Sequence, residues 1–188
     1  ANYNFFWDTK LFKTLISFSG WSLFGSAANV SSKQGTDILL NIFYGVMVNA
    51  AMGIANQVNN AVNGFVQNFQ TAFKPQIVKS YAANETDYLI RLIFQTSKFS
   101  FFLLYCIALP ILLNTEIVLQ LWLKRVPAYA VGFVRLILIY SLLDSISGPL
   151  WMTVQATGRI KKYQIAISFI ILSNLLISYL FLKQGYNP

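Results

Sequence analysis

Carboxamide side chains recur along the stretch from Val48 to Phe73, which is otherwise apolar enough and long enough to cross a lipid bilayer. Because an asparagine or glutamine amide both donates and accepts hydrogen bonds, such side chains suit hydroxyl-rich ligands such as sugars. On an α-helix that turns by about 100° per residue, six of these amides fall on one face. They are Asn49, Asn56, Asn60, Asn63, Gln67 and Gln70.

The amide face has two possible roles, because the free-energy cost excludes a third, which is exposure to lipid. An amide that enters hydrocarbon without a partner costs roughly 2–7 kcal/mol, so this face cannot point at lipid. It either bonds neighbouring helices together or lines a hydrated cavity. Interhelical hydrogen bonds in membranes contribute only about 0.6 kcal/mol on average, and one or two amides suffice for them. We therefore favour a cavity, with bonding between helices as the alternative.

Charged side chains within apolar stretches are the other candidates for chemistry. Lys33 and Asp37 are four residues apart on a helix face that also carries Asn41, so the two charges can pair and lower the cost of insertion. Asp144 has no cation one turn away in its own helix and needs a partner from another helix, water or a proton. Arg135 either snorkels to the membrane surface or holds an anionic head group. Both acids are candidates for structural charges or for groups that respond to a coupling ion.

The residue types that are missing from the chain exclude several kinds of site. The sequence contains no histidine and a single cysteine, Cys106, which excludes intrachain disulfides, Cys/His zinc sites and histidine-based acid–base catalysis. It contains no glycine-rich loop of the phosphate-binding type. Glu85 and Asp87 form an acidic pair that we interpret as part of a solvated loop. We therefore predict neither an enzyme nor a bound metal or cofactor.

Composition predicts that a bundle of transmembrane helices holds these side chains. Of the 188 residues, 56% are hydrophobic and 11% are charged, whereas a soluble domain has about 25% charged residues. About 20 helical residues span the hydrocarbon core of a bilayer. We predict one all-α transmembrane domain with helices at about 11–44, 48–73, 88–113, 129–156 and 160–182. We interpret the first as one long helix that is tilted or locally broken around 31–36, with two shorter helices as the alternative. Lys74-Pro75 is expected to begin the exit from the second.

The distribution of basic residues predicts which end of each helix faces the cytoplasm. Lysine and arginine recur in short clusters between apolar runs, which favours membrane topology over nucleic-acid binding. Sorting helix ends by alternate spans places nine basic residues on one side and four on the other. The richer side, which includes Lys74, Lys79, Lys161 and Lys162, is predicted to be cytoplasmic. Because an odd number of crossings also suits part of a larger bundle, we interpret the chain as a fragment of a larger membrane protein.

Six stretches of the chain form a recognisable set. They are LISFSGWSLFG at 15–25, NIFYG at 41–45, VNAAMGIA at 48–55, FQTAFKPQIVKSY at 69–81, LWL at 121–123 with Pro127, and ATGRIK at 156–161. Taken together, these stretches resemble the bacterial polysaccharide (O-antigen type) flippases of the multidrug/oligosaccharidyl-lipid/polysaccharide exporter superfamily. The resemblance covers nearly the whole chain.

The resemblance implies two six-helix lobes that enclose a central cavity and work by alternating access in the bacterial inner membrane. Such proteins translocate undecaprenyl-pyrophosphate-linked oligosaccharide for surface polysaccharides such as lipopolysaccharide, commonly driven by an ion gradient of H⁺ or Na⁺. This chain would supply helices seven to eleven, with the first lobe and the last helix as partners in the same polypeptide. Cations that line the cavity are expected to meet the pyrophosphate, which makes Lys33 and Arg135 the candidates.

Three other functions stay open at this point. One is an exporter of drugs or of peptidoglycan precursors in the same superfamily. Another is a non-transporting membrane scaffold of a polysaccharide synthase complex, which predicts a dry, close-packed interface between the first two helices. A membrane glycosyltransferase is the least supported, because the chain lacks a convincing acidic catalytic cluster.

Overall fold

Helices form all the regular structure of the chain between residues 8 and 185, which are the residues that this computed structural model describes. No strand occurs in that range, so the predicted all-α class is confirmed. The elements are α1 Thr9–Ala82, α2 Thr86–Leu113, α3 Thr115–Leu123, α4 Ala130–Asp144, α5 Gly148–Ala156 and α6 Lys161–Lys183.

The longest helix, α1, consists of two arms that meet at Gly45. This residue has φ 79° and ψ −178°, a conformation that is open essentially to glycine alone. The first arm covers 9–44 and the second arm covers 46–82. The first arm is continuous through the polar residues 31–36, where the Thr36 hydroxyl donates to the Ser32 carbonyl at 2.9 Å. The break predicted as possible in this stretch is therefore absent.

The second arm is longer than the sequence predicts. It passes through Pro75 and ends at Ala82 instead of ending near Phe73. A proline in a helix has no N–H to donate, so the carbonyl of Thr71, one turn earlier, lacks its helical donor. Thr71 lines the large cavity described below, where a freed carbonyl can be solvated. The helix can therefore continue at a local cost.

The span predicted at 129–156 is broken in two. Residues 145–147 separate α4 from α5, and the two helices are bent by 45°. Pro149 explains the break, because its ring would clash with the carbonyl of Ser145 in a straight helix and it cannot donate to that carbonyl. A further helix that was not predicted from the sequence, α3, follows α2 after Asn114.

Helix α6 packs against the first arm of α1, and the two run in the same direction. Going along both helices, Gly25 contacts Gln164, Ser32 contacts Ile171 and Gly35 contacts Leu175. The Ser32 hydroxyl donates to the Ile171 carbonyl at 3.2 Å. Both glycines permit a close approach, since a Cβ at Gly25 would lie 1.6 Å from Nε2 of Gln164.

The main core lies where the second arm meets α2 and α4, toward Gly45. Ala51 and Ala55 of the second arm are fully buried there, with Leu104 and Ala108 of α2 and Val134 of α4. A smaller cluster around Ile77, Leu89 and Leu92 joins the second arm to α2 farther from Gly45. The small alanine side chains let the helix backbones approach closely.

Three helices, α1, α2 and α6, are long and apolar enough to cross a membrane, and the bent pair of α4 and α5 qualifies as a fourth span. If each arm of α1 crosses once, the total equals the five predicted crossings. Large apolar side chains also remain on the outer surface, such as Phe169 with 74% and Leu121 with 82% of the side chain exposed. These features are compatible with a multi-pass membrane protein.

Candidate functional site

A cavity of about 1280 Å³ lies between the two arms of α1 and helices α4, α5 and α6. Its volume exceeds the range of about 300–1,000 Å³ that is common for ligand sites. Nine carboxamide side chains line it, and we term it the amide cavity. They are Asn29, Asn59, Asn60, Asn63, Gln67, Gln70, Gln155, Gln164 and Asn174.

The structure brings only some of the residues predicted from the sequence to this cavity. Asn60, Asn63, Gln67 and Asp144 line it. The cavity follows the part of the second arm that is distant from Gly45, whereas the part near Gly45 is close-packed. The predicted residues outside the lining are Lys33, Asp37, Asn41, Asn49, Asn56 and Arg135.

One group of amides bonds the second arm to α4. The Asn63 amide donates to Oδ1 of Asn59 at 2.7 Å and to the Ser141 hydroxyl at 3.2 Å. The Ser141 hydroxyl also contacts Oδ1 of Asn59, and it donates to the Ile137 carbonyl at 2.8 Å. Ser141 is buried, and these bonds hold the two helices together at the edge of the cavity. Asn63 and Asn59 therefore match the interhelical role that the sequence left open.

The break between α4 and α5 is stabilised by side chains from two other helices. The buried Gln70 amide donates to the Ser145 carbonyl at 2.9 Å, and the Ser97 hydroxyl of α2 donates to the Ile146 carbonyl at 2.9 Å. The Gln70 side chain lies against Gly148 in this arrangement. A Cβ at residue 148 would lie 2.2 Å from Oε1 of Gln70, so the glycine leaves the space that this side chain needs. Carbonyls that the break frees from the helical pattern thus regain donors.

Two amides of the second arm are free to bind a ligand. Asn60 and Gln67 are exposed along the cavity. Within residues 8–185 their side-chain amides form no hydrogen bond, in contrast to those of Asn63 and Gln70. Each amide can donate to one ligand hydroxyl and accept from another. The predicted amide face therefore divides into bonding residues and available residues.

Asp144 and Lys74 place two opposite charges in the cavity lining. Asp144 is exposed and ends α4, and its Oδ1 accepts a hydrogen bond from the Ser147 hydroxyl at 3.1 Å. The carboxylate lies at the C-terminal end of a helix, where the helix dipole disfavours a negative charge. A cation bound at this position would offset that repulsion.

Aromatic side chains on the cavity wall were missed by sequence reasoning. Trp151 of α5 and Tyr163 of α6 stack with their ring centroids 4.6 Å apart and an interplanar angle of 23°. Tyr140 of α4 also lines the cavity. The sequence signals for this pair are weak, because the two rings come from different helices whose relative placement depends on the bend after Asp144.

The other predicted charged residues lie away from the cavity. Lys33 and Asp37 form no ion pair in the part of the chain that the structure describes, so the predicted pairing is not made. Lys33 is exposed on the first arm, and Asp37 is partly buried there. Nε of Arg135 donates to the Thr115 hydroxyl of α3 at 3.4 Å, which directs this side chain toward α3.

A smaller cavity of about 480 Å³ lies between α3 and the start of α4. Glu116 and Gln120, one turn apart on α3, line it together with Tyr129 and with Lys124, which follows the end of α3. None of the residues predicted as site residues contributes to this cavity.

No protein-family model, curated protein or solved structure matches the chain. What the protein does is therefore inferred from the amide cavity, the helices around it and the sequence pattern.

Proposed function

We propose that this protein is an inner-membrane flippase that translocates undecaprenyl-pyrophosphate-linked oligosaccharide for surface polysaccharide biosynthesis. The observation that carries this proposal is the amide cavity, which lies among helices that are apolar enough to span a bilayer. A wide cavity lined by neutral donors and acceptors suits sugar hydroxyls. The sequence resemblance to polysaccharide flippases gives the same function.

In this proposal, different residues of the cavity bind the sugar and the pyrophosphate of the substrate. Asn60 and Gln67 bind sugar hydroxyls. Lys74 meets the pyrophosphate, because it lines the cavity at the end that the distribution of basic residues assigns to the cytoplasm. Lys33 and Arg135, which the sequence analysis favoured for that role, lie outside the cavity lining. The undecaprenyl chain stays in the surrounding lipid.

Transport requires the cavity to open alternately to the two sides of the membrane. We assign Asp144 as the group that takes up a coupling H⁺ or Na⁺, because it lies in the cavity at a helix break. Broken helices next to a cavity are the usual place for coupling ions in secondary transporters. In the proposed full-length protein, this chain forms the start of the second lobe, and the first lobe and the last helix complete the transporter.

A scaffold without transport activity accounts less well for the cavity. That function predicts a dry, close-packed interface between the arms of α1, whereas a cavity of about 1280 Å³ lies between these arms and the neighbouring helices. Nine amides in the lining also fit an exporter of apolar drugs poorly, because an apolar ligand forms no hydrogen bonds with them. Substrate competition in transport assays would separate a peptidoglycan-precursor exporter from the proposed flippase.

The test replaces the available amides in the full-length protein with the double variant Asn60→Leu, Gln67→Leu. Two lost hydrogen bonds of about 0.5–1.5 kcal/mol each correspond to a reduction of roughly fivefold or more in export. The measurement is surface polysaccharide per amount of membrane-inserted protein. The control, Gln57→Leu with Asn68→Leu, changes two exposed amides of the same arm outside the cavity lining and should leave export unchanged. Normal export by the first double variant at normal protein level would reject the amide-lining role.

A further inference from the structure

We propose that the amide cavity selects an oligosaccharide without net charge and excludes acidic repeat units. This inference rests on the proposed function, because it specifies the sugar that the same site accepts. It depends on the charges of the lining, on their existing partners and on the aromatic pair at the cavity wall.

The lining is electrically balanced. Among the described residues that line the cavity, Lys74 is the one basic residue and Asp144 is the one acidic residue. The remaining polar groups are amides, hydroxyls, the phenols of Tyr140 and Tyr163 and the indole N–H of Trp151. The walls therefore offer many hydrogen bonds and no excess of either charge.

An acidic sugar would lack a cation of its own on the part of the cavity wall that the described residues form. A carboxylate that leaves water needs a cation and several hydrogen-bond donors to offset its desolvation. Lys74 is the one cation among the described lining residues, and the pyrophosphate of the carrier lipid competes for it. Until it takes up a coupling ion, the carboxylate of Asp144 would in addition repel a carboxylate on the sugar. Each acidic sugar thus meets a cost that a neutral sugar avoids.

Nearby cations of the chain do not supply the missing charge. The ammonium of Lys161 lies 5.1 Å from the centre of the Trp21 ring, in a cation–π contact. Arg135 donates to Thr115, and Lys33 lies outside the lining. These three cations therefore do not change the balance of one basic and one acidic residue in the described lining.

The aromatic pair favours the same class of ligand. An aromatic ring has a negative face, which attracts the partly positive C–H groups on the face of a neutral sugar ring. Trp151 and Tyr163 stack on each other and also line the cavity, so they form a preformed platform on its wall, which also carries the amides of Gln155 and Gln164. A carboxylate over such a face would be repelled. Amides and aromatic rings together thus suit uncharged sugars.

The experiment compares two carrier-linked probes in bacteria whose only flippase is the full-length protein. The probes are undecaprenyl-pyrophosphate-linked tetrasaccharides that are identical except that one contains glucose and the other glucuronic acid at the terminal position. We expect the glucose probe to be exported at least about tenfold faster. Equal export of both probes would overturn this inference and leave the proposed flippase function standing. Export of neither probe would overturn the proposed function as well.

A gain-of-function variant makes the test independent of folding defects. Asn60→Lys adds a cation to the cavity and should raise export of the glucuronic acid probe at least about tenfold, because the added ammonium pairs with its carboxylate. Asn68→Lys adds the same charge on the same arm outside the lining, and it should leave the preference unchanged. An equal increase in both variants would show that net charge of the protein, and not of the cavity, sets the preference, which contradicts the inference.

Discussion

Gln70 shows how one polar side chain can compensate for a defect in a neighbouring helix. Pro149 breaks the helix that contains Asp144, and the Ser145 carbonyl then loses its helical donor. The buried Gln70 amide replaces that donor at 2.9 Å, and it does so in the space that Gly148 leaves open. An unsatisfied buried carbonyl would cost about 1–3 kcal/mol. The Asn63 amide donates to the Ser141 hydroxyl and so bonds the second arm to α4. Gln70 and Asn63 of the predicted amide face therefore have structural roles.

The contact between Gln70 and Gly148 gives a prediction at the residue scale. Gly148→Ala places a Cβ 2.2 Å from Oε1 of Gln70 and should displace that side chain from the Ser145 carbonyl. We expect a destabilisation of about 1–3 kcal/mol. The same substitution in a Gln70→Ala background should cost at least about 0.5 kcal/mol less, because the clash is gone. Denaturant unfolding of the detergent-solubilised protein measures the four variants of this cycle.

A second glycine serves as the control for this cycle. Gly64 lies in the same arm, and a Cβ there would meet nothing within 4 Å. Gly64→Ala should therefore leave stability unchanged or raise it by up to about 1 kcal/mol, since alanine is the better helix former. Equal costs of Gly148→Ala in both backgrounds would show that Gln70 does not depend on this glycine.

At the scale of elements, the geometry depends on how the long helix α1 changes direction. Both arms line the amide cavity, which requires the chain to turn back on itself at Gly45. Each arm then has a partner that runs alongside it, α6 for the first arm and α4 for the second. The break after Asp144 tilts α5 so that Trp151 reaches Tyr163 of α6. The cavity is thus the space that these two helix pairs leave between them.

Gly45→Ala should disturb this arrangement without any steric clash. A Cβ at Gly45 would meet nothing within 4 Å, but φ 79° with ψ −178° is a conformation that alanine strongly disfavours. We expect a cost of about 1–3 kcal/mol and a lower thermal unfolding midpoint. Gly53→Ala is the matched control, because Gly53 is helical and a Cβ there also meets nothing within 4 Å. If both variants melt alike, the turn does not depend on the special backbone of Gly45.

At the scale of the whole molecule, composition and periodicity were sufficient for the all-α class and for the approximate location of the helices. The break at Ser145 was harder to predict, although Gly148 and Pro149 indicate it, because the donors that permit it come from Gln70 and Ser97, far away in the chain. The cavity lining could be predicted in part, since helical spacing identifies the amide face. Periodicity does not show how far along that face the helices separate, so Asn49 and Asn56 were predicted as lining residues together with Asn60.

Placement of the whole molecule in a membrane gives the last prediction, because surface exposure alone does not distinguish lipid from water. Phe169 of α6 is 74% exposed, and Asn60 is exposed in the cavity. In a Cys106→Ala background, we expect Asn60→Cys to react with a water-soluble maleimide at least about tenfold faster than Phe169→Cys, because the reactive thiolate forms in water and not in hydrocarbon. Inside-out vesicles give the reagent access from the side predicted to be cytoplasmic. Fast labelling of Phe169→Cys would place that face of α6 in water and contradict the membrane assignment, whereas slow labelling of Asn60→Cys would show a dry cavity that no sugar could enter.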